Sequence, residues 1–175
     1  MVDFNQLEQF LKQTLIYSQT LNTSHIDPFM ANGLVYKGEE KISKVGLAVS
    51  ASIELFKKTV EANCQALIIH HAFDFPSRVK YDFLFQNRYS YLVKNNLSLF
   101  GYHFLLDSHP VFGHNVLIIK EIGGVVEKPF LHRGDPWGFF GKVNNLSLTE
   151  VVNKLRPKLS PKMTLYDFGQ KKLIR

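Results

Sequence analysis

The stretch of sequence that decides the fold is Ala66-Leu67-Ile68-Ile69-His70-His71. An apolar run of this length that ends in polar residues is typical of a strand buried on both faces, as strands are in a parallel sheet. Similar runs at residues 44–50 and 97–103 predict two more strands. Residues 53–60 and 82–95 have the pattern of helices and lie between these strands. The alternation predicts an α/β fold built from βαβ units with right-handed crossovers.

The remaining segments give weaker patterns. An amphipathic helix is expected over residues 3–17, and a further helix over 113–122, where Gly123-Gly124 would end it. Residues 139–143 predict a strand, and residue 148 begins a helix that we expect to end at Pro157. Residues 21–38 are expected to be irregular because they hold the turn-forming pairs Asp27-Pro28 and Asn32-Gly33. Residues 73–81 are expected to form a loop because they hold Pro76 and several charged residues.

Composition excludes several classes of protein. Of 175 residues, 45% are hydrophobic and 21% charged, which is ordinary for a globular protein and not for a disordered one. Cys64 is the only cysteine, so neither an intrachain disulfide nor a zinc cluster of cysteines can form. With no signal peptide and no run long enough to span a bilayer, we expect a cytoplasmic protein without a membrane partner. The net charge of +6 is scattered, so nucleic-acid binding is disfavoured.

Candidate functional residues follow the second and third predicted strands. His70 and His71 end the second strand, His103 ends the third, and Asp107 comes four residues later. Because ligands collect beyond the carboxyl ends of parallel strands, His70, His71 and Asp107 are expected to converge if the two strands are neighbours. Two imidazoles and a carboxylate are suitable ligands for Zn, Mn, Fe or Co. His103 and His109 would then orient ligands or carry protons.

The spacing leaves other interpretations open. Paired histidines also occur as solvated or hydrogen-bonded residues, and aspartates such as Asp107 and Asp27 often form caps or turns. Other chemistries have less support, because the chain lacks a Gly-x-Gly-x-x-Gly, a Walker A sequence and a Gly-x-Ser-x-Gly elbow.

Several motifs together resemble one family. They are Ala66–His71, Gly101-Tyr102-His103-Phe104-Leu105-Leu106-Asp107-Ser108-His109-Pro110, and Gly113-His114-Asn115, with Ala31–Val35 and Val45–Val49 fitting its N-terminal pattern. The sequence resembles the dinuclear-metal-centre hexameric proteins, also known as GTP cyclohydrolase I type 2 homologues or NGG-interacting-factor-three-like proteins. The resemblance runs from about residue 3 to residue 145.

The resemblance implies a three-layer αβα fold with a mainly parallel or mixed central sheet, assembled as a ring-shaped homohexamer. It implies two divalent metal ions per subunit, with His70, His71 and Asp107 as ligands and His103 close by. The family's remaining ligands come from a Gly-His-x-x-(Ser/Thr)-Glu motif that is absent from residues 1–175. We therefore expect these residues to be the N-terminal portion of a single αβ protein, either as a truncated product or as a naturally short homologue.

Three functions are compatible with these features. The first is a metal-dependent hydrolase acting on a nucleotide or another phosphorylated small molecule, with His103 as the candidate catalytic residue. The second is a non-catalytic metal-binding scaffold or protein-interaction module. The third and weakest is a nucleic-acid-binding ring, which rests only on the basic charge. The residues alone do not decide whether the protein is an enzyme.

Overall fold

The chain forms two compact units. A computed structural model describes residues 1–73, 82–166 and 168, and the chain divides at residue 106 into a first unit, 1–106, and a second unit, 107–175. Among the described residues, the first unit holds a two-stranded antiparallel sheet of Val2–Asp3 and Lys41–Ile42 and a larger four-stranded sheet, and the second unit holds one two-stranded sheet.

The first unit contains a four-stranded mixed sheet. Its elements, in chain order, are β1 (Val2–Asp3), α1 (Phe4–Leu15), α2 (Thr23–Ile26), β2 (Asn32–Tyr36), β3 (Lys41–Ile42), β4 (Val45–Ser50), α3 (Ile53–Glu61), β5 (Ala66–His71), α4 (Phe83–Lys94) and β6 (Ser98–Tyr102), after which α5 (Phe104–Asp107) begins. The strand order is β2-β6-β5-β4. Strands β4, β5 and β6 are parallel, and β2 pairs with β6 in the antiparallel direction. The three strands and two helices expected from the central βαβ pattern are confirmed.

Helices cover both faces of this sheet, because successive residues of a strand point to opposite sides. On one face, Phe4 and Leu11 of α1 pack with Phe100 of β6, and the rings of Phe4 and Phe100 stack with centroids 5.6 Å apart. On the other face, Phe56 of α3 and Leu92 of α4 pack against the strands. The first unit therefore has the three-layer αβα arrangement.

Side-chain caps fix where the two crossover helices begin. Ser52 accepts a hydrogen bond from the Leu55 N–H at 3.0 Å, and Asp82 accepts one from the Phe85 N–H at 2.8 Å. Each cap satisfies a backbone donor that the first helical turn leaves unpaired. In the sheet itself, Ser50 of β4 lies opposite His71 of β5, so the two strands end side by side.

The segment expected to be irregular, 21–38, holds both α2 and β2. The turn-forming pair Asn32-Gly33 lies inside β2, where Asn32 is opposite Tyr102 and Gly33 is opposite Gly101. Antiparallel pairing with β6 supplies backbone hydrogen bonds to this segment. These long-range hydrogen bonds outweigh the local preference of Asn32-Gly33 for a turn. Most of the loop expected at 73–81 lies outside the described residues.

The second unit is built on a β-hairpin. Its elements are α6 (His114–Glu121), β7 (Val125–His132), β8 (Asp135–Lys142) and α7 (Leu148–Leu159). The expected strand at 139–143 is the end of β8, and β7 was not expected. Arg133 and Gly134 both have positive φ, 53° and 91°, as the two central residues of a type I′ turn do. Helix α7 begins at a Ser147–Glu150 capping box and continues through Pro157, because a proline in the last turn removes only one helical hydrogen bond.

Among the described residues, no helix combines the length and the apolar character that crossing a bilayer requires.

Candidate metal centre

Three imidazoles meet at the carboxyl ends of the parallel strands of the first unit. His70 and His71 are the last residues of β5, and His103 follows the last residue of β6. The ring centroids lie 4.5 Å apart for His70–His71, 4.8 Å for His70–His103 and 5.4 Å for His71–His103. Each ring offers one nitrogen to a group whose ligand atoms all lie within 4.8 Å of one another. Neighbouring parallel strands thus bring together residues more than thirty positions apart in the chain.

Each of the three rings is held through its Nδ1 atom by a different kind of partner. His70 Nδ1 lies 2.9 Å from the backbone oxygen of Tyr102, and His71 Nδ1 lies 2.9 Å from Ser50 Oγ. His103 Nδ1 lies 2.8 Å from Asp27 Oδ2. The backbone carbonyl and the carboxylate can only accept, so His70 and His103 donate from Nδ1. In its neutral form each of these two rings then carries its lone pair on Nε2.

This is the arrangement that metal-binding histidines adopt in proteins. One ring nitrogen faces the ion, while the other donates to a carbonyl or a carboxylate that fixes the ring and its tautomer. His71 is exposed, and His70 and His103 are half-buried, so an ion and water can reach the group. Imidazole nitrogen favours zinc and its first-row neighbours over Mg²⁺ or Ca²⁺, which prefer oxygen ligands. The donor set therefore fits a divalent transition metal.

Asp27 is the partner of His103 at this site, a contact that the sequence did not reveal. Its side chain is only 9% exposed, and its Oδ2 accepts from the side-chain amide of Asn32 at 2.8 Å as well as from His103. Asn32 Oδ1 in turn accepts from the Leu105 N–H at 2.9 Å. Asp27 and His103 are 76 positions apart, and no spacing signal in the sequence connects them.

Asp107, the third predicted ligand, is the first residue of the second unit. Its Oδ1 lies 3.1 Å from His114 Nδ1, and its backbone oxygen accepts from the Asn115 side-chain amide at 2.8 Å. These contacts hold the carboxylate at the last residue of α5. Its role as a metal ligand stays a prediction.

His109, which the sequence offered as an orienting residue, has a structural role within the second unit. The ring is buried, and its Nδ1 accepts from the backbone N–H groups of Val111 and Phe112 at 3.1 and 3.0 Å. These two bonds shape the turn that leads to α6.

Comparison with known proteins agrees with this fold. The profile of the Duf34/NIF3 (NGG1p interacting factor 3) family matches residues 11–175. A protein from Archaeoglobus fulgidus named "GTP cyclohydrolase 1 type 2 homolog" is 32% identical over 143 residues, which are 81% of this chain and 57% of that protein. One of the same name from Pseudomonas aeruginosa is 32% identical over 157 residues, 86% of this chain and 61% of that protein. The chain thus spans about three fifths of the length of these relatives.

Solved structures give the same result for the fold. The crystal structure of TTHA1606 from Thermus thermophilus superposes with a TM-score of 0.78 at 23% identity, over 99% of this chain and 69% of that one. A structural-genomics structure of the protein ybgI, of unknown function, superposes with a TM-score of 0.71 at 25% identity, over 89% of this chain and 60% of that one. On the profile match and the sequence identities together, the chain belongs to the Duf34/NIF3 family.

Proposed function

We propose that this protein binds divalent transition-metal ions through His70, His71 and His103, with Asp107 as a further ligand, and that it is a metal-dependent hydrolase. The observation that carries the proposal is the meeting of three imidazoles, each held at Nδ1, at the carboxyl ends of β5 and β6. Asp107 is included because of the sequence resemblance. That resemblance also supports two ions per subunit and a homohexameric ring.

The chemistry that such an ion supplies is Lewis acidity, which allows water to act as a nucleophile near neutral pH. The residues of the chain supply the rest. The Nδ1–H of His103 donates to Asp27, which leaves the lone pair of His103 on Nε2. Nε2 is therefore the atom of His103 that can bind an ion or accept a proton. The catalytic role predicted for His103 needs that same lone pair, so proton exchange by His103 is the alternative to its binding an ion.

The proposed substrate is a nucleotide or another phosphorylated small molecule. The net charge of +6 favours the approach of anions. Two relatives carry a name that refers to a cyclohydrolase, and ring-opening hydrolysis of a purine nucleotide is therefore the first reaction to test. The single cysteine is compatible with the reducing cytoplasm as the site of action.

Metal content tests the centre directly. Protein purified without added metal is analysed by inductively coupled plasma mass spectrometry, as wild type and as the double variant His70→Ala/His71→Ala. The wild type is expected to hold metal and the double variant to lose it. His25→Ala removes an exposed histidine of α2 in the same unit and serves as the matched control. A metal-free wild type, or a double variant that still holds metal, contradicts the proposed centre.

Asp107 needs a separate test because its assignment has a separate basis. Asp107→Asn removes the charge and keeps the size of the side chain, and we expect it to lower the metal content. Asp135→Asn makes the same change at the start of β8 and is expected to have no effect. Equal metal content in the two variants would remove Asp107 from the ligand set.

Turnover separates the hydrolase from a second candidate, a non-catalytic metal-binding interaction module. The second candidate is favoured by the family's description as an interacting factor. Metal-loaded protein is incubated with a panel of nucleotides, and products are followed by mass spectrometry. Hydrolysis that disappears in the His70→Ala/His71→Ala variant supports the enzyme. Bound metal with no product from any nucleotide supports the module.

A further inference from the structure

A half-buried carboxylate, that of Asp27, lies within hydrogen-bond distance of one of the three imidazoles. Asp27 Oδ2 lies 2.8 Å from His103 Nδ1, whereas His70 faces a backbone carbonyl and His71 a hydroxyl. A hydrogen bond to an ionised acceptor is shorter and about twice as strong as one between neutral groups. The three rings therefore differ in how firmly each is held and in how much electron density its free nitrogen receives.

Asp27 is itself held in place by backbone and side-chain donors. The same oxygen that accepts from His103 also accepts from Asn32 Nδ2 at 2.8 Å and faces the Phe104 N–H at 3.3 Å. Asn32 is fixed by the Leu105 N–H at 2.9 Å, and the His103 N–H donates to the Ala31 oxygen at 3.2 Å. These bonds tie the loop before β2 to the residues that follow β6. Rotation of the carboxylate away from His103 would leave several donors in a half-buried region without an acceptor.

We propose that Asp27 is a positioning residue that holds His103 as the Nδ1–H tautomer, so that its Nε2 lone pair is offered to the metal ion of the proposed centre. The part of this inference that concerns the ion rests on the proposed function. The part that concerns the tautomer holds in the metal-free protein. Within the proposed centre, donation from Nδ1 to the Asp27 carboxylate raises the electron density at Nε2 of His103.

The tautomer is measured first, and on the unchanged chain. Long-range ¹H–¹⁵N spectra of the metal-free protein, recorded at a pH well above the usual imidazole range, distinguish a protonated from an unprotonated ring nitrogen. His103→Gln assigns the signal. We expect Nδ1 of His103 to carry the proton and Nε2 to be unprotonated. A signal from the Nε2–H tautomer overturns the proposal, whether or not the protein binds metal.

Affinity for metal alone is measured next. Asp27→Asn keeps an oxygen that can accept from His103 but removes the charge, and loss of such an outer partner typically weakens metal affinity about 10–100-fold. Co²⁺ or Zn²⁺ is titrated against a chelator into wild type, Asp27→Asn and Glu39→Gln. The last variant removes one negative charge from an exposed position of the same unit and is expected to leave affinity unchanged. Equal affinity of Asp27→Asn and wild type overturns the proposed effect on the ion.

The two proposals fail in different ways. If wild-type protein binds no metal, the metal centre is wrong, and the tautomer of His103 still decides whether Asp27 positions the ring. If His70→Ala/His71→Ala loses metal while Asp27→Asn binds it as tightly as wild type, the centre stands and the role of Asp27 is wrong. Asp27→Glu adds a readout that a purely structural role would not give. It restores the charge in a longer side chain, and recovery of affinity beyond that of Asp27→Asn supports the electrostatic role.

Discussion

Adding a single methyl group at Gly101, in the middle of the sheet, should disturb the three-imidazole group. Gly101 lies in β6 between Gly33 of β2 and Ile69 of β5. A Cβ atom at this position would lie 2.7 Å from the Cβ of Ala31 and closer still to the Cβ of Ala72, which directly follows His71. Both alanines are only 3% exposed and have no room to retreat. Gly101→Ala should therefore displace the chain at the end of β5.

The change in unfolding free energy caused by Gly101→Ala is the sum of two opposing effects. Overpacking a well-filled core costs about 1–3 kcal/mol, and two contacts far inside the usual carbon separation of about 3.5–4.0 Å place this substitution at the upper end. Alanine lowers the entropy of the unfolded chain, which returns about 0.4–1 kcal/mol. We expect a net loss of about 2 kcal/mol from the stability of the first unit. Metal affinity should fall as well, since the strain falls on the residue next to His71.

The assay must report on the first unit alone. The single tryptophan, Trp137, lies in the second unit, so its fluorescence would follow the wrong part of the chain. Hydrogen exchange of peptides from β6, measured as a function of urea, reports the required stability. The matched variant is Gly101→Ala/Ala72→Gly, which removes the nearer of the two clashing atoms.

A double-mutant cycle gives the refuting result. If the clash with Ala72 is the cause, Ala72→Gly destabilises the wild type but recovers stability in the Gly101→Ala background, with a coupling of about 1 kcal/mol or more. Additive effects of the two substitutions would contradict the packing argument. A Gly101→Ala protein as stable as wild type would contradict it outright.

Three further outcomes are expected. Free metal at about 100 times its dissociation constant should stabilise the wild type by about 2.7 kcal/mol against urea and leave His70→Ala/His71→Ala unchanged, and an equal gain in both would contradict the metal centre. Burial raises the pKa of the Tyr102 phenol above its usual value of 10.0, so the unfolded chain loses this proton first and stability should fall as pH rises past about 10. Tyr102→Phe should remove that part of the alkaline slope, and an unchanged slope would refute the assignment. In the second unit, Ser147→Ala removes the N-cap of α7 and should cost about 1 kcal/mol. Trp137 fluorescence in urea measures this loss, and no shift in the unfolding midpoint would show that the cap is dispensable.

The sequence predicts the centre of the first unit because its signals are local. Four apolar residues before His70 specify a buried strand, and the helical spacing of residues 53–60 specifies the crossover that follows β4. Once the strands are parallel neighbours, the meeting of His70, His71 and His103 follows from topology, although the sequence predicts Asp107 as the third member and gives His103 only a supporting role. The positions of these histidines at the ends of the strands are enough to predict that they lie close together.

The hairpin of the second unit escaped prediction for a physical reason. Residues of β7 are almost all exposed, so the strand lacks the alternation of apolar and polar residues that a half-buried strand shows. Pro129 further lowers its strand preference. Its turn uses Arg133-Gly134 and not the Asn-Gly or Asp-Gly pair that usually marks a two-residue hairpin. No local sequence pattern therefore predicts that β7 and β8 pair.

The contact between Asp27 and His103 likewise could not be predicted from a local sequence pattern, because the two residues are 76 positions apart. This dependence on distant partners bears on how the candidate site forms. The three imidazoles are held from three different elements: His70 by the backbone of β6, His71 by Ser50 of β4, and His103 by the loop before β2. Each partner contacts its histidine only when the strand that contains the partner, or that follows it in the chain, has paired in the sheet. The arrangement of the three imidazoles is then a property of the assembled sheet and not of any one segment, and an ion bound at the proposed centre would bind the folded first unit more tightly than the unfolded chain. Metal binding and folding of the first unit are therefore expected to be thermodynamically coupled.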